Sequence, residues 1–458
     1  MTTIAPSPNL ATTLRQRRQR LAAHVDFPVV LWSGNPSPRN FPANIYRFRA
    51  NSHFLYFAGL PLANAAVRLE GDRLTLFVDE STPEEALWHG PTPSREALAT
   101  QIGADAAYPL ADLPFLAQEV ATLPVQDAGT AATQLQMRGH IHPTWDRALA
   151  DAIIALRLTH DEAAIAAIRQ AAAVSVEAHQ AGMQASAPGK TEAAVRAAME
   201  SVIMAYGMAT AYNSIVTVHG EVLHNEVYDH PLVAGDLLLA DVGAEAPSGW
   251  ASDITRTWPV TGKFSPTQRA IYDIVLAAHD ACIAAAKPGV EYRDLHWLAC
   301  RTLAAGLVDV GILKGQPDSL VEQDAHALFF PHGVGHLLGL DVHDMEDLGD
   351  LAGYAPGRQR SDRFGLAFLR LDRPLQAGMA VTIEPGFYQV PGILQNPERR
   401  NRYQSLVNWD RLAQFQDIRG IRIEDDVLIT STGCEVLTSG LPSAATAVET
   451  IVNSSVLL

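Results

Sequence analysis

Cysteine is scarce in this chain. Cys282, Cys300 and Cys434 are the whole supply, an odd number without a CxxC pair. That argues against a disulfide scaffold and for a reducing, cytoplasmic setting. Long apolar runs are missing too. No stretch of about eighteen such residues occurs, so neither a membrane-spanning helix nor a membrane partner is expected. Basic residues are in deficit, 34 Lys and Arg against 50 Asp and Glu, which leaves a formal charge of −16. A general nucleic-acid binder is therefore excluded, because neutralising phosphates takes clustered cations. The amino-terminal MTTIAPSPNLATTLRQRRQRL has no apolar segment after a basic start and does not read as a secretory signal; its Arg-rich, acid-poor character has a slight transit-peptide flavour. What remains is a globular composition, 48% hydrophobic and 18% charged, long enough at 458 residues for two domains with substantial cores.

Residues 1–155 read as a smaller α/β domain. A short amphipathic helix is expected over 10–24, and strands at 28–32, 54–59, 65–70 and 74–80, the last two joined by Gly71-Asp72. Ala148 to Leu158 reads as a helix. Residues 156–458 form the second domain, α+β in class. Thr159-x-x-Glu162 fits a capping box opening a long Ala-rich helix that stops at Pro188-Gly189, and a second helix runs from Thr191 to Tyr206. Strands are expected next at 214–218, 237–243 and 251–260. The pattern then recurs: Ser265-Pro266 starts a helix that stops at Pro288-Gly289, and another covers 292–310. Helix, Pro-Gly turn, helix, strands, twice over, suggests an internal duplication, although Pro-Gly is also a common helix stop.

The chemistry-bearing residues lie in the second domain. FFPHGVGHLLGLDVHD at 329–344 sets His332, His336 and His343 among glycines and aliphatics. One such histidine would be read as a loop residue. Three of them, with carboxylates on apolar strands elsewhere, need partners, because polar groups are costly to bury unpaired. Asp241 ends LLLAD and Asp253 lies in ASDITRTW. Each alone is more often a turn former; on paired strands the two would converge. Glu384 ends AVTIE. Glu424 lies in IRIEDDVLI, on the same side as Arg422, which would stand beside it and orient it. Asp241, Asp253, His336, Glu384 and Glu424 make a hard, oxygen-rich set. Two divalent ions would balance four carboxylates: Mn²⁺ first, with Zn²⁺ or Co²⁺ as alternatives and Mg²⁺ also compatible. Such a pair acidifies a shared water and stabilises a developing oxyanion. His224, His332 and His343 would then donate hydrogen bonds or shuttle protons.

At these residues the chain resembles the Xaa-Pro branch of the metallopeptidases with the pita-bread fold, peptidase family M24B, which holds aminopeptidase P and prolidase. YNSIVTVHGEVLH, ADVGAEAPSGWASDITRTWPV, PHGVGHLLGLDVHD, VTIEPGFY and GIRIEDDVLIT match in order and spacing, and NSHFLYFAGL resembles the aminopeptidase P amino-terminal domain. The resemblance implies an aminopeptidase P-like domain followed by a pita-bread catalytic domain with a pseudo-twofold repeat. Asp241 would bind one metal, His336 and Glu384 the other, and Asp253 and Glu424 would bridge them. A metal-bridging hydroxide would attack the bond before proline in a peptide substrate, with Glu384 handling the proton. His224 and His343 would bind substrate and intermediate, with His332 and Arg422 in support. A homodimer or homotetramer built through the amino-terminal domain is also implied.

Two stretches, 345–378 and 390–420, are longer than a plain aminopeptidase P calls for. Within the first, LAFLRLDRPLQAGM resembles the prolidase segment whose arginine holds a dipeptide carboxylate, and Arg370 aligns with that arginine. The simpler reading of Arg370 is a surface arginine beside Arg358, Arg360, Arg363 and Arg373. Xaa-Pro aminopeptidase is thus the leading expectation and Xaa-Pro dipeptidase the alternative. A catalytically inactive binding module would have lost ligands, and none of the five is lost. Methionine aminopeptidase shares the metal set but lacks an amino-terminal domain of this size and the VHD stretch.

Overall fold

A computed structural model of the chain describes residues 10–137 and 142–454; of the amino-terminal stretch with a transit-peptide flavour, residues 1–9 lie outside the described residues, while Arg15, Arg17, Arg18 and Arg20 fall in the helix Leu10–Ala22. The chain divides into two compact units between Leu158 and Thr159.

The first unit is built on a five-stranded sheet: β1 (Val29–Trp32), β2 (Ala65–Glu70), β3 (Arg73–Val78), β4 (Ala106–Tyr108) and β5 (Ala121–Thr122). Their order is β4-β3-β2-β1-β5, with β2 antiparallel to both β1 and β3, and the edge pairs β3–β4 and β1–β5 parallel. The Gly71-Asp72 turn joins β2 to β3 as expected, with Gly71 at φ +57°. The strand expected at 54–59 is instead part of a helix, Ser52–Ala58. The Asn51 side chain accepts the first free N–H groups, those of His53 and Phe54, and left-handed Gly59 closes the other end. All seven helical residues are buried, so no polar face reveals the helical period, and a short apolar run cannot be told from a strand.

The second unit opens with two helix pairs. Helices α1 (Glu162–Ala185) and α2 (Glu192–Ala205) pack on each other, as do α3 (Pro266–Ala285) and α4 (Tyr292–Asp309). The two linkers match in detail. Gly189 and Gly289 take φ of +87° and +85°, and each donates its N–H to a distant carbonyl, Leu232 and Leu375, at 2.8 Å. This is the internal repeat expected from the sequence. The expected Thr159 cap is displaced. Asp161 caps α1, accepting from Ala164 N at 2.8 Å, because His160 N is already bonded to the Gly378 carbonyl and keeps 159–160 out of the helix. Ser265 caps α3 in a full capping box with Gln268.

The helices flank short antiparallel strands. In the first half β6 (Ile215–Thr217), β7 (Leu237–Asp241) and β8 (Thr255–Pro259) form one sheet of order β8-β7-β6. In the second half β9 (Ala380–Ile383) pairs with β12 (Asp425–Ile429), and β10 (Gly386–Tyr388) pairs with β11 (Gly420–Arg422). The continuous strand expected over 421–429 is therefore broken at Ile423-Glu424. Its partner breaks opposite it, at Glu384-Pro385. Pro385 has no N–H to give the ladder, and Glu424 N turns away to the Thr255 carbonyl at 3.0 Å. Both breaks fall on carboxylates. The strand expected from residue 251 begins only at Thr255, because the Ser252 hydroxyl and Asp253 N are drawn to Asp426 instead.

Candidate metal centre

The two aspartates enter from the β7–β8 hairpin. Asp241 is the last residue of β7 and lies opposite Thr255; Asp253 lies two residues before β8. Asp426 fixes the bend that carries Asp253, accepting from Asp253 N at 3.0 Å and from Ser252 Oγ at 2.7 Å. The Tyr212 hydroxyl stands 2.5 Å from Oδ1 of both Asp241 and Asp253. One hydroxyl proton serves one acceptor at a time, so Tyr212 ties the pair together without neutralising it.

Glu384 and Glu424 come from the two strand breaks. Thr255 Oγ1 donates to Glu424 Oε2 at 2.6 Å. Arg422, fully inside the fold, donates from Nη2 to Asp241 at 2.6 Å, from Nε to Thr255 Oγ1 at 2.9 Å and from Nη1 to the Tyr388 hydroxyl at 3.1 Å. Its closest approach to Glu424 is 3.9 Å, so it acts on that carboxylate mainly through Thr255. Tyr388 passes its own proton to His332 Nε2 at 3.0 Å, while His332 Nδ1 donates to the Gly333 carbonyl.

His336 completes the cluster. Its Nδ1 donates to the Leu337 carbonyl at 2.9 Å, which leaves Nε2 with a lone pair. That lone pair faces Asp253 Oδ2 at 3.4 Å and Glu384 Oε1 at 3.7 Å. Ligand atoms of Asp253, His336 and Glu424 all lie within 4.8 Å of one another. Burial first, and then mutual repulsion, holds Asp253 and Glu424 above the ordinary carboxylate range; burial raises Glu384 as well. Acceptors aimed at acceptors, with Arg422 bonded to Asp241 alone among the four carboxylates, are unfavourable until positive charge enters between them. The residues therefore fit two divalent ions: four carboxylates and one imidazole lone pair.

These groups line a cavity of about 330 Å³ whose other walls include Leu223, Phe368, Val390 and Ile393. His224 and His343 line it as well. His343 Nδ1 bonds Glu346 at 2.8 Å, and its ring meets that of His336 edge-on at 4.3 Å. The other Glu346 oxygen pairs with Arg370. The hydrogen bond from His343 leads the causes that hold the Glu346 carboxyl down at about 2, with Arg370 adding to it. Every residue singled out from the sequence as a site residue thus lines this cavity. Five supporting groups were not singled out: Tyr212, Thr255, Glu346, Tyr388 and Asp426. Four of them stand inside the quoted motifs; for Asp426 the adjacent acids, and for Thr255 its place two residues after Asp253, were the available signals.

The family model "Metallopeptidase family M24" matches residues 166–431, and the model "Aminopeptidase P, N-terminal domain" matches residues 14–124. A probable Xaa-Pro aminopeptidase of Fusarium vanettenii is 33% identical over 86% of this chain and 84% of its own length. The mitochondrial intermediate cleaving peptidase 55 of Arabidopsis thaliana is 33% identical over 89% of this chain and 76% of its own. Among solved structures, an aminopeptidase of Pseudomonas aeruginosa superposes with a TM-score of 0.81 at 30% identity, over 99% of both chains. Zinc-substituted aminopeptidase P of E. coli, in complex with product, gives 0.81 at 28% identity over 97% of this chain and 98% of that one.

Proposed function

The chain belongs to metallopeptidase family M24, and from that premise we propose that its buried cluster is a two-metal centre working on the bond before proline. Its activity is that of an Xaa-Pro aminopeptidase: hydrolytic removal of an amino-terminal residue from a following proline. The observation that carries the reading of the site is the convergence of Asp241, Asp253, His336, Glu384 and Glu424 in one cavity beside an apolar wall. When bound, divalent ions there supply an acidified water and positive charge for the developing oxyanion.

The remaining work falls to the chain. Asp241, Asp253, His336, Glu384 and Glu424 are the residues that would hold the ions. Tyr212 and Thr255 hold those carboxylates in position. Glu384 accepts a proton from the attacking water and delivers it to the prolyl nitrogen, which as a tertiary amide has none of its own. His224 and His343 donate to the scissile carbonyl. The apolar lining residues Leu223, Phe368, Val390 and Ile393 shelter the proline ring. Arg422 and His332 act at one remove, through Asp241, Thr255 and Tyr388.

Arg370 bears on the dipeptidase alternative. Its guanidinium is already paired with Glu346, and through it steadies His343, so its charge is not waiting for a substrate carboxylate. Mn²⁺ is the ion we favour for so oxygen-rich a donor set, with Zn²⁺ and Co²⁺ as the alternatives. Three free cysteines support a reducing compartment, for which we take the cytoplasm; no helix among the described residues is long and apolar enough to cross a membrane. A homodimer or homotetramer through the first unit is our reading of its exposed apolar side chains, Leu87, Trp88 and Phe115.

The test pairs an Xaa-Pro dipeptide with an Xaa-Pro-Xaa tripeptide, after Mn²⁺ addition. The tripeptide should be much the better substrate, and Arg370→Ala should lower both rates together. A selective loss on the dipeptide would establish the carboxylate clamp instead. No bound metal and no hydrolysis of either peptide would sink the enzyme reading.

A further inference from the structure

Behind the metal carboxylates lies a second cavity, of about 250 Å³. It shares Asp241, Asp253, His224 and His343 with the first, so the two spaces meet across the reacting centre. Their charge differs. The larger carries Arg370 and Arg422 on its walls. The smaller has no Lys or Arg among its described lining residues, and besides the shared groups its one charged side chain is Glu226.

The position of Glu226 is fixed. Asn225, beside it, is buried, donating to Thr217 Oγ1 at 2.7 Å and accepting from Val227 N at 3.0 Å. That anchor pins an otherwise irregular loop, with His224 on one side of it and Glu226 on the other. Asn213 Nδ2 donates to Glu226 Oε1 at 2.8 Å, and Asn213 follows Tyr212, whose hydroxyl touches both aspartates. Glu226 is exposed at the cavity mouth, and Asn213 engages only one of its two carboxylate oxygens.

A peptide cut after its first residue places that residue on one side of the centre and its remaining length on the other. Its free amine is cationic and its far end anionic. The acid-lined cavity therefore suits the amino-terminal residue, and the larger, apolar one suits the proline and the residues after it. We propose that Glu226 is a specificity residue that favours substrates whose first residue is arginine or lysine. Those side chains carry charge at the end of a long flexible stem and reach a rim carboxylate without displacing the backbone amine from the centre. This inference rests on the Xaa-Pro aminopeptidase reading and narrows it to a substrate class.

The experiment compares Arg-Pro-Ala, Ala-Pro-Ala and Glu-Pro-Ala on the Mn²⁺-loaded full-length protein. An exposed ion pair of ordinary strength gives the wild type an Arg-over-Ala advantage in kcat/KM of about fivefold. Glu226→Gln should remove that ratio, chiefly through KM. Glu226→Lys should reverse the order, with Glu-Pro-Ala overtaking Arg-Pro-Ala. Added salt should compress the wild-type ratio. If all three peptides are cleaved and the ratios match between wild type and both variants, Glu226 has no such role while the aminopeptidase reading stands. If the wild type cleaves none of them, the reading beneath the proposal fails and takes the proposal with it.

Discussion

A neutral imidazole whose lone pair looks onto two carboxylate oxygens, as His336 Nε2 does, is relieved by positive charge between them, a proton or a metal cation. Each of the five donors is then replaceable only by another donor. Asp253→Ala or Glu424→Ala should abolish turnover, to below about a thousandth of wild type, roughly 4 kcal/mol of lost transition-state stabilisation; near-normal kcat/KM in either variant would refute its role as a ligand. The same carboxylates make metal uptake depend on pH. Burial raises Asp253 from 3.8 to about 7, and Glu384 from 4.5 to about 7. The folded, metal-free protein thus holds protons that the unfolded chain gives up. This part of its stability is complete below pH 3.8 and is lost as pH rises through about 7. Bound cations favour the ionised form and cancel that loss. The rise in Tm on adding Mn²⁺ should accordingly be larger at pH 8 than at pH 5, read by scanning calorimetry. Equal rises would mean that the ions go elsewhere.

The elements that carry these groups are short, and they stop where the chemistry begins. Strands β9 and β12 break at Glu384-Pro385 and Ile423-Glu424, opposite each other, and the glutamates turn inward at the gaps. His336 reaches the same place from a segment laid against β9, with its N–H on Thr382 Oγ1 at 3.2 Å and its carbonyl accepting from Thr382 N at 3.0 Å. Gly335, at φ +152°, is what lets that segment lie so close: an added Cβ would overlap the Thr382 carbonyl and the Tyr292 hydroxyl. Gly335→Ala should cost about 1–3 kcal/mol of stability by overpacking. It should also weaken Mn²⁺ binding by roughly 10–100-fold, as loss of a ligand's support does. Unchanged affinity in titration calorimetry would show that the segment tolerates the shift. Much of this level could be read beforehand. Pro-Gly stops, Ser265 and the alternating strands mark themselves through local chemistry. The strand breaks could not, because Ile423-Glu424 alternates like any strand and only its pairing partner, Pro385, interrupts it. Nor could the helix Ser52–Ala58, whose seven residues are all buried and so hide their period. Tyr212 stayed unremarked for a related reason: its use depends on two aspartates, Asp241 and Asp253, that only the folded hairpin sets beside it.

At the scale of the molecule, two properties pull against each other. The chain carries a formal charge of −16, so copies of it repel. Yet its first unit leaves Leu87, Trp88 and Phe115 at 79%, 75% and 78% exposure. Leu87 and Trp88 lie on the helix Pro83–His89, none of whose residues is buried. A two-turn helix gains little from its own hydrogen bonds and ordinarily relies on packing of one face. A second copy of the chain supplies that packing if the apolar attraction exceeds the charge repulsion. The repulsion is screened by salt and the apolar contact is not, so association should tighten as ionic strength rises. An interface made of ion pairs would loosen under the same change. Sedimentation velocity across 20 to 500 mM NaCl, on the order of a fivefold change in screening length, therefore separates the two. The expected result is a dimer or tetramer whose dissociation constant falls with salt, and a Trp88→Asp variant that sediments as a smaller species throughout. A wild type that is monomeric at every salt concentration would leave the exposed helix unpartnered and rule out self-association through this unit.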